Sequence, residues 1–257
     1  MSFPGPPFAP TGGVLVAPLR CSLGALRVEI GPGRAATDPG TEERIAAAWR
    51  RMTGANPRLF NGPILSVRGF DPAPDGRPGG VLHAAVDEYR RLAVQPGVPT
   101  GTRQLSVTGL LVARDSGGRE HVCLGRRSHQ TRMYGGLWEL APSGGVDPPG
   151  AGAGSLGGED LWRALVREIE EELALPATPE PVEIVALIAD PASFSVDALV
   201  RAEVPMPAES LIARARGASS HERWEYESVR WVPLADLLAF IAAEPVIPPL
   251  AAAAALV

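Results

Sequence analysis

The sequence predicts a mixed α/β or α+β protein, because segments with strand periodicity alternate with segments with helix periodicity. The clearest strand is QLSVTGLLVARD, residues 104–115, in which apolar residues alternate with small polar ones. The clearest helix spans residues 159–175, where apolar positions recur at three- and four-residue intervals. Apolar residues make up 45% of the 257-residue chain, which is enough for a substantial core.

The first hundred residues predict a small unit of their own. Residues 1–20 are rich in Pro and Gly, which indicates irregular or edge-like structure. The pattern that follows predicts, in order, a strand at 26–33, a helix at 38–54 capped by Asp38 or Thr41, a strand at 63–70 and a second helix at 83–93. The stretch VQPGVPTGT then indicates a boundary near residue 100, so residues 1–100 are expected to form an accessory subdomain and residues 101–257 the main domain.

The main domain is expected to begin with a hairpin, because SGGRE links the strand at 104–115 to HVCLGRRS. GLWELAPSGGVD predicts a short strand that enters a glycine turn, and PPGAGAGSLGG, residues 148–158, predicts a flexible loop. Pro176 should end the helix that follows. The remaining pattern predicts strands at 182–190, 194–205 and 227–234, a helix at 235–245 and another helix in the alanine-rich tail.

Composition excludes several classes of protein. A net charge of -5 argues against a general nucleic-acid binder, no apolar stretch is long enough for a membrane span, and the first ten residues do not resemble a signal peptide. Cys21 and Cys123 lie too far apart for a disulfide framework or a zinc motif, so a cytoplasmic location is expected. All 24 basic residues are arginine, which excludes Schiff-base lysines and the phosphate-binding lysines of P-loops and kinases.

Two weaker patterns indicate no site. GAGSLG, residues 152–157, matches G-x-G-x-x-G, but VDPP precedes it where a dinucleotide fold requires a buried strand. The four histidines have no metal-like spacing.

The helix at 159–175 gathers an unusual number of carboxylates. At 100° per residue, Trp162, Val166, Ile169 and Leu173 form a stripe that should face the core. Glu168, Glu171 and Glu172 then share an adjoining face, and Arg167 and Glu170 can pair on a third face. A solvated acidic helix would cost only a few tenths of a kcal/mol per like-charged pair. Carboxylates on adjacent turns after a glycine turn also suit Mg²⁺ or Mn²⁺, which prefer hard oxygen ligands and substrate phosphate.

This segment resembles the box of the Nudix hydrolases, G-x5-E-x7-R-E-U-x-E-E-x-G-U, where U is aliphatic. Glu159 is followed after seven residues by REIEEELAL, which matches the acidic half of the box at every charged position. Two positions depart from the pattern. Ala174 replaces the final glycine, at a cost of about 1 kcal/mol if the backbone there has a positive φ. The insertion GAGAGSLGG lengthens the first half of the box.

The resemblance implies an α+β Nudix fold, an α/β/α sandwich with a mixed central sheet, preceded by a small N-terminal α/β extension. It implies metal-assisted hydrolysis of a small nucleoside diphosphate linked to another moiety, with no nucleic-acid or membrane partner, and it allows a homodimer. Glu168, Glu171 and Glu172 would hold Mg²⁺, with Mn²⁺ as the alternative ion, and Arg167 would orient a carboxylate of the box.

The resemblance also implies roles outside the helix. Glu225 is the first choice for the general base, and Glu168, Glu222 and Glu227 are alternatives. Glu139 would point into the phosphate-binding turn, and Gly144 and Gly145 would let the backbone approach the diphosphate. Arg132 and Tyr134 would contact the phosphate and base, while Trp138 belongs either to the core or to a stacking platform.

The N-terminal region, through EERIAAAWRRMTGANPRLFNGPILSVRGF and VDEYRRL, resembles the UDP-sugar diphosphatase branch. The preferred expectation is therefore cleavage of a nucleotide-sugar such as UDP-glucose to UMP and sugar 1-phosphate. An ordinary accessory subdomain explains the same residues, which keeps ADP-ribose and coenzyme A open as substrates. A non-catalytic nucleotide-sugar sensor with the same fold would usually have lost box carboxylates, and isopentenyl-diphosphate isomerase would need a cysteine motif that the sequence lacks.

Overall fold

A computed structural model describes residues 9–34, 36–150, 154–175, 178–217 and 225–257. The strands are β1 Ala9–Thr11, β2 Val14–Cys21, β3 Leu26–Gly31, β4 Pro63–Pro72, β5 Gly80–Glu88, β6 Gln104–Arg114, β7 Glu120–Arg127, β8 Trp138–Leu140, β9 Ser143–Gly145, β10 Ser155–Gly157, β11 Glu180–Asp190, β12 Ser195–Glu203 and β13 Tyr226–Pro233. The α-helices are α1 Pro39–Ala55, α2 Tyr89–Ala93, α3 Gly158–Glu168, α4 Ala208–Gly217, α5 Leu237–Ala243 and α6 Pro248–Ala254. Within these residues, no helix combines the length and the apolar character needed to cross a bilayer.

The described strands form one mixed sheet. Its main path is β1-β2-β11-β12-β6-β4-β5-β3-β10, and β7 branches from β6 to pair with β8 and β13. β12 pairs with β6 in parallel and β3 pairs with β5 in parallel, whereas the other pairs are antiparallel. The hairpin predicted for β6 and β7 is confirmed, since Val112 lies opposite Val122 and the strands are antiparallel.

Helices cover both faces of this sheet, as the predicted α+β sandwich requires. On one face, Leu161 and Leu165 of α3 and Leu211 of α4 join the largest apolar cluster. On the other face, Leu237 of α5 and Leu250 of α6 pack into a second cluster. A third, small cluster lies beneath α1.

The N-terminal region contains more strand than the sequence predicts. Val14–Cys21 is a regular strand that pairs with both β1 and β11, so the prediction of irregular or edge-like structure was wrong for these residues. The helix predicted at 83–93 was also wrong over its first half, because Gly80–Glu88 is a strand and only Tyr89–Ala93 is helical. β5 lies between β3 and β4, and this pairing on both sides overrides the helix propensity of its alanines. The Asp38 cap is confirmed, because its carboxylate accepts a hydrogen bond of 2.9 Å from Thr41 N.

Two predictions around the acidic helix need correction. The loop predicted at 148–158 is wrong for Ser155–Gly157, which form β10 and pair with β3; residues 151–153 lie outside the described part of the chain. The helix at 159–175 is α-helical only as far as Glu168, continues as one π-helical turn, Ile169–Leu173, and ends at Ala174 in the left-handed conformation. Pro176, the predicted helix stop, lies outside the described residues.

Candidate active site

The predicted apolar stripe of the acidic helix is confirmed for Ile169 and Leu173 and is wrong for Trp162 and Val166. Leu161, Leu165, Ile169 and Leu173 are buried, whereas Trp162 and Val166 are only half-buried. Glu168 and Glu172 lie on the same buried side of the helix, at 8% and 7% exposure. Glu170 and Glu171 remain exposed.

The last turn ends the helix in a conformation that alanine disfavours. Ala174 has φ 47° and ψ 47°, in the left-handed region. The Cβ of an L-residue crowds the following carbonyl there, whereas glycine adopts the region freely. Alanine at this position therefore costs about 1 kcal/mol relative to glycine.

Glu168 packs against the glycine turn of β9. A Cβ added at Gly144 would lie 2.2 Å from Glu168 Cδ, so only glycine leaves room for this carboxylate. Arg167 Nη2 donates a 2.7 Å hydrogen bond to Glu168 Oε1 and a 3.0 Å bond to the carbonyl of Gly145. Arg167 also pairs with Asp147, so the predicted pairing of Arg167 with Glu170 was wrong. Burial raises the pKa of Glu168, and the adjacent guanidinium partly opposes this rise.

Glu172 meets Glu225 at the same turn. Ser143 N donates to Glu172 Oε2 at 3.4 Å, while Glu172 Oε1 is buried and has no hydrogen-bond partner among the described residues. Burial raises the pKa of Glu172 strongly, and its contact with the Glu225 carboxyl group raises it further. The backbone of Glu225 is held in turn, because its carbonyl accepts a 2.7 Å hydrogen bond from Ser128 N.

A third acid, Glu139 on β8, is only 4% exposed. Arg127 Nη1 donates to Glu139 Oε1 at 2.5 Å, and the hydroxyl of Tyr226 also hydrogen-bonds to this carboxylate. Burial raises the pKa of Glu139 to about 7, although both partners act in the opposite direction. Tyr226 packs its ring on Gly125, where a Cβ would lie 2.5 Å from the ring.

The donor set fits a divalent cation in part. Glu172 Oε1 is a buried oxygen that a cation would satisfy, and closely spaced carboxylates are hard ligands suited to Mg²⁺ or Mn²⁺. Across the described residues, however, no three Asp, Glu, His or Cys side chains lie close enough to make a complete ligand set. Glu168, Glu172 and Glu225 are the acids that the fold brings together, and Glu171 is exposed beside them.

A cleft of about 1250 Å³ opens beside these acids, and Glu139, Ser143 and Glu225 form part of its wall. Arg132 and Tyr134 line it too. The Tyr134 hydroxyl donates a 2.7 Å hydrogen bond to Asp190 Oδ2, and burial together with this bond raises the pKa of the phenol. Both residues therefore lie where a substrate could reach them.

Sequence reasoning missed a polar row on the cleft wall. Ser193 Oγ donates to Asp190 at 2.7 Å, and Ser195 Oγ donates to Asp197 at 2.6 Å. Burial raises the pKa of Asp197 to about 6, and repulsion by Asp190 adds to the effect. Asp197 is a lone acid in the middle of an apolar strand, which is a signal that the sequence did contain.

The structure bears on the role of Trp138 and on the alternatives for the general base. Trp138 is 1% exposed and meets Phe240 edge-to-face at 5.4 Å between ring centroids, so it belongs to the core. Glu227 Oε1 accepts a 3.1 Å hydrogen bond from His129 N and thereby holds the neighbouring loop. Glu222 lies outside the described residues.

The NUDIX domain family matches residues 102–252 of the chain. Among curated proteins, none matches. Similar solved structures include the Nudix hydrolase RenU from M. smegmatis (21% identity, 58% of this chain and 81% of that chain, TM-score 0.36) and DR0079 from Deinococcus radiodurans (19%, 60% and 82%, TM-score 0.39). A C. elegans Ap4A hydrolase is also similar (16%, 55% and 85%, TM-score 0.30).

These TM-scores lie below 0.5, so the assignment rests on the domain match, which covers more than half of the chain. Nudix hydrolases generally use divalent metal ions. The protein belongs to the NUDIX domain family and is a Nudix hydrolase that acts on nucleoside diphosphate derivatives.

Proposed function

We propose that this Nudix hydrolase cleaves a nucleotide-sugar, with UDP-glucose as the first choice, to UMP and sugar 1-phosphate. The observation that carries the proposal is the position of the acids: Glu172 meets Glu225 at the glycine turn, and Glu225 and Glu139 form part of the cleft wall. The UDP-sugar preference comes from the sequence of the N-terminal region, whose residues Met52 and Leu59 help to line the same cleft.

In this proposal Glu168, Glu171 and Glu172 hold Mg²⁺, with Mn²⁺ as the alternative. The bound ion would offset the charge of the diphosphate and lower the pKa of the attacking water. Arg167 fixes the Glu168 carboxylate through its 2.7 Å hydrogen bond and is itself anchored on the carbonyl of Gly145. Glu171 is exposed, so it completes the set from the solvent side.

Glu225 acts as the general base and accepts the proton of the attacking water at its carboxylate. Its backbone is fixed by Ser128, and its side chain lies against Glu172. Gly144 and Gly145 let the backbone of β9 approach the diphosphate closely. Arg132, which donates a 3.3 Å hydrogen bond to the carbonyl of Ser193, supplies a cation at the rim of the cleft.

Glu139 and Tyr134 form part of the cleft wall. Glu139, held by Arg127, faces the phosphate side, and Tyr134, held by Asp190, faces the nucleoside or sugar. Residues 1–100 act as an accessory region that completes the cleft over residues 101–257, and the substrate is a small molecule acted on in the cytoplasm. A homodimer is compatible with this arrangement.

A substrate panel with Mg²⁺ tests the proposal. UDP-glucose, UDP-galactose, ADP-ribose, coenzyme A and dinucleoside polyphosphates should be compared by kcat/KM, with products separated by chromatography. The expected result is the highest kcat/KM for a UDP-hexose, with UMP and hexose 1-phosphate as products. A higher kcat/KM for ADP-ribose or coenzyme A would overturn the UDP-sugar assignment, and tight binding without turnover would favour a sensor.

A further inference from the structure

The lining of the cleft carries more acid than base. Its described ionisable side chains are Glu139, Asp190, Asp197 and Glu225 on the acidic side, and Arg58, Arg127 and Arg132 on the basic side, with Tyr89 and Tyr134 as phenols. A diphosphate that enters such a cleft needs cationic partners in addition to a metal ion. An arginine of the cleft that has no protein partner is therefore a candidate to bind the diphosphate.

Two of the three arginines already have partners. Arg127 is bound to Glu139 at 2.5 Å and donates through Nε to the carbonyl of Met133 at 3.0 Å. Arg132 donates to the carbonyl of Ser193. Among the described residues, the guanidinium of Arg58 makes no hydrogen bond and no ion pair, although it is exposed at the cleft.

The turn that carries Arg58 is fixed although its side chain is not. Asn56 Oδ1 accepts a 3.1 Å hydrogen bond from Arg58 N, and Asn56 O accepts a 3.1 Å bond from Leu59 N. Further along, Asn61 Oδ1 accepts a 2.9 Å bond from Arg90 N, which ties the segment to α2. The backbone at Arg58 is therefore held beside the cleft, while its guanidinium is left without a protein partner among the described residues.

We propose that Arg58 binds an anionic phosphate group of the substrate, so that the N-terminal region contributes a residue that determines substrate affinity. The inference rests on the proposed function only in naming the ligand class, a nucleoside diphosphate derivative. The planar guanidinium presents paired N–H donors that match two phosphate oxygens, and it keeps its charge at every working pH. Arg58 acts in binding and takes no part in proton transfer.

The test compares R58A, R58K and a matched control, R51A. Arg51 is also an exposed arginine, lies on α1 and does not line the cleft, so its loss removes the same charge without touching the site. For R58A we expect KM for the preferred substrate to rise about tenfold, the lower end for a hydrogen bond to a charged group, with kcat changed less than twofold. R58K should lie between R58A and the unaltered protein, and R51A should match the unaltered protein.

Direct binding separates this inference from the proposed reaction. Titration calorimetry with UDP and with ADP, in EDTA so that no hydrolysis occurs, should show about tenfold weaker binding to R58A than to R51A. Raising the salt concentration should narrow the difference, because the contact is exposed. Equal dissociation constants for R58A and R51A would overturn the inference even if UDP-glucose is hydrolysed. Failure to hydrolyse UDP-glucose, with the affinity difference intact, would overturn the proposed reaction and leave the role of Arg58 standing.

Discussion

Replacing Gly144 with alanine is expected to impair hydrolysis while the protein stays folded. The added Cβ would lie 2.2 Å from Glu168 Cδ and 2.3 Å from Glu168 Oε1. Carbon atoms in contact normally lie about 3.5 Å apart, so the carboxylate must shift by about 1.3 Å. That shift would break the 2.7 Å hydrogen bond from Arg167 to Glu168.

A displacement of about 1 Å in a catalytic group can cost roughly 100-fold in rate. We therefore expect kcat of G144A to fall about 100-fold, equivalent to about 2.7 kcal/mol in activation free energy. The fold should survive, because Glu168 is a side chain at the edge of the core that can move aside. The assay is steady-state hydrolysis of the preferred substrate, with Mn²⁺ affinity measured by electron paramagnetic resonance.

Gly24 provides the matched control. A Cβ at Gly24 would meet no atom within 4 Å, so G24A should keep full activity and unfold within about 0.5 kcal/mol of the unaltered protein. If G144A hydrolyses substrate at the unaltered rate and binds Mn²⁺ with unaltered affinity, the position of Glu168 is irrelevant to the reaction. The assignment of Glu168 as a metal ligand would then be wrong.

Four further substitutions test other parts of the site. Glu171→Gln and Glu172→Gln should each lower kcat about 100-fold, and full activity in both variants would contradict the metal assignment. Glu172→Gln should not lower the melting temperature, because a neutral amide removes the repulsion from Glu225. Ala174→Gly should raise the free energy of unfolding by about 0.5–1 kcal/mol, since the relief of left-handed strain exceeds the added entropy of the unfolded chain. A lower free energy of unfolding, measured with urea, would contradict the strain at Ala174. Asp197→Asn should become more stable than the unaltered protein as pH rises. The pKa of Asp197 in the folded protein, about 6, lies above its value in the unfolded chain, so ionisation of Asp197 destabilises the fold. This destabilisation is absent near pH 4, grows through pH 6 and is constant above it. The expected gain between pH 4 and pH 7 is about 2 kcal/mol, and a pH-independent difference in urea unfolding with EDTA present would argue against it.

The sequence was sufficient for elements whose pattern and partners are both local. The hairpin of β6 and β7 follows from two alternating segments around a glycine turn, and the helix capped by Asp38 follows from its first four residues. Residues 83–88 of β5 were mistaken for helix because their alanines have helix propensity, whereas their strand conformation depends on pairing with β4 and with β3, which is distant in sequence. The apolar stripe of the acidic helix was predicted correctly at Ile169 and Leu173, but Leu161 and Leu165 are buried where Trp162 and Val166 were expected. In these first turns the apolar pattern fits two neighbouring stripes, and only packing against the sheet selects one.

The part of the candidate site that lies on the acidic helix and the glycine turn could be predicted from the sequence. Glu168, Glu172 and Gly144 belong to such local signals, and the structure brings them together. The cleft wall was not predictable, because it combines α1, β11, β12 and the C-terminal helix, and no spacing in the sequence reports such a crossing. Arg58 illustrates the limit: an exposed arginine after a helix is unremarkable until the fold brings it to the cleft.

The pairing of β2 with β11 has a consequence for any attempt to separate the two regions. Five residue pairs join these strands, from Ile184 with Cys21 to Ala189 with Leu15. A protein that began at residue 101 would leave that edge of β11 bare, and bare strand edges recruit strands from other molecules. Deletion of the N-terminal region should therefore cause insolubility before any change in substrate preference can be measured. Residues 14–21 thus cover an edge of β11 that would otherwise favour self-association. Single substitutions are therefore better suited than deletions to study the N-terminal region.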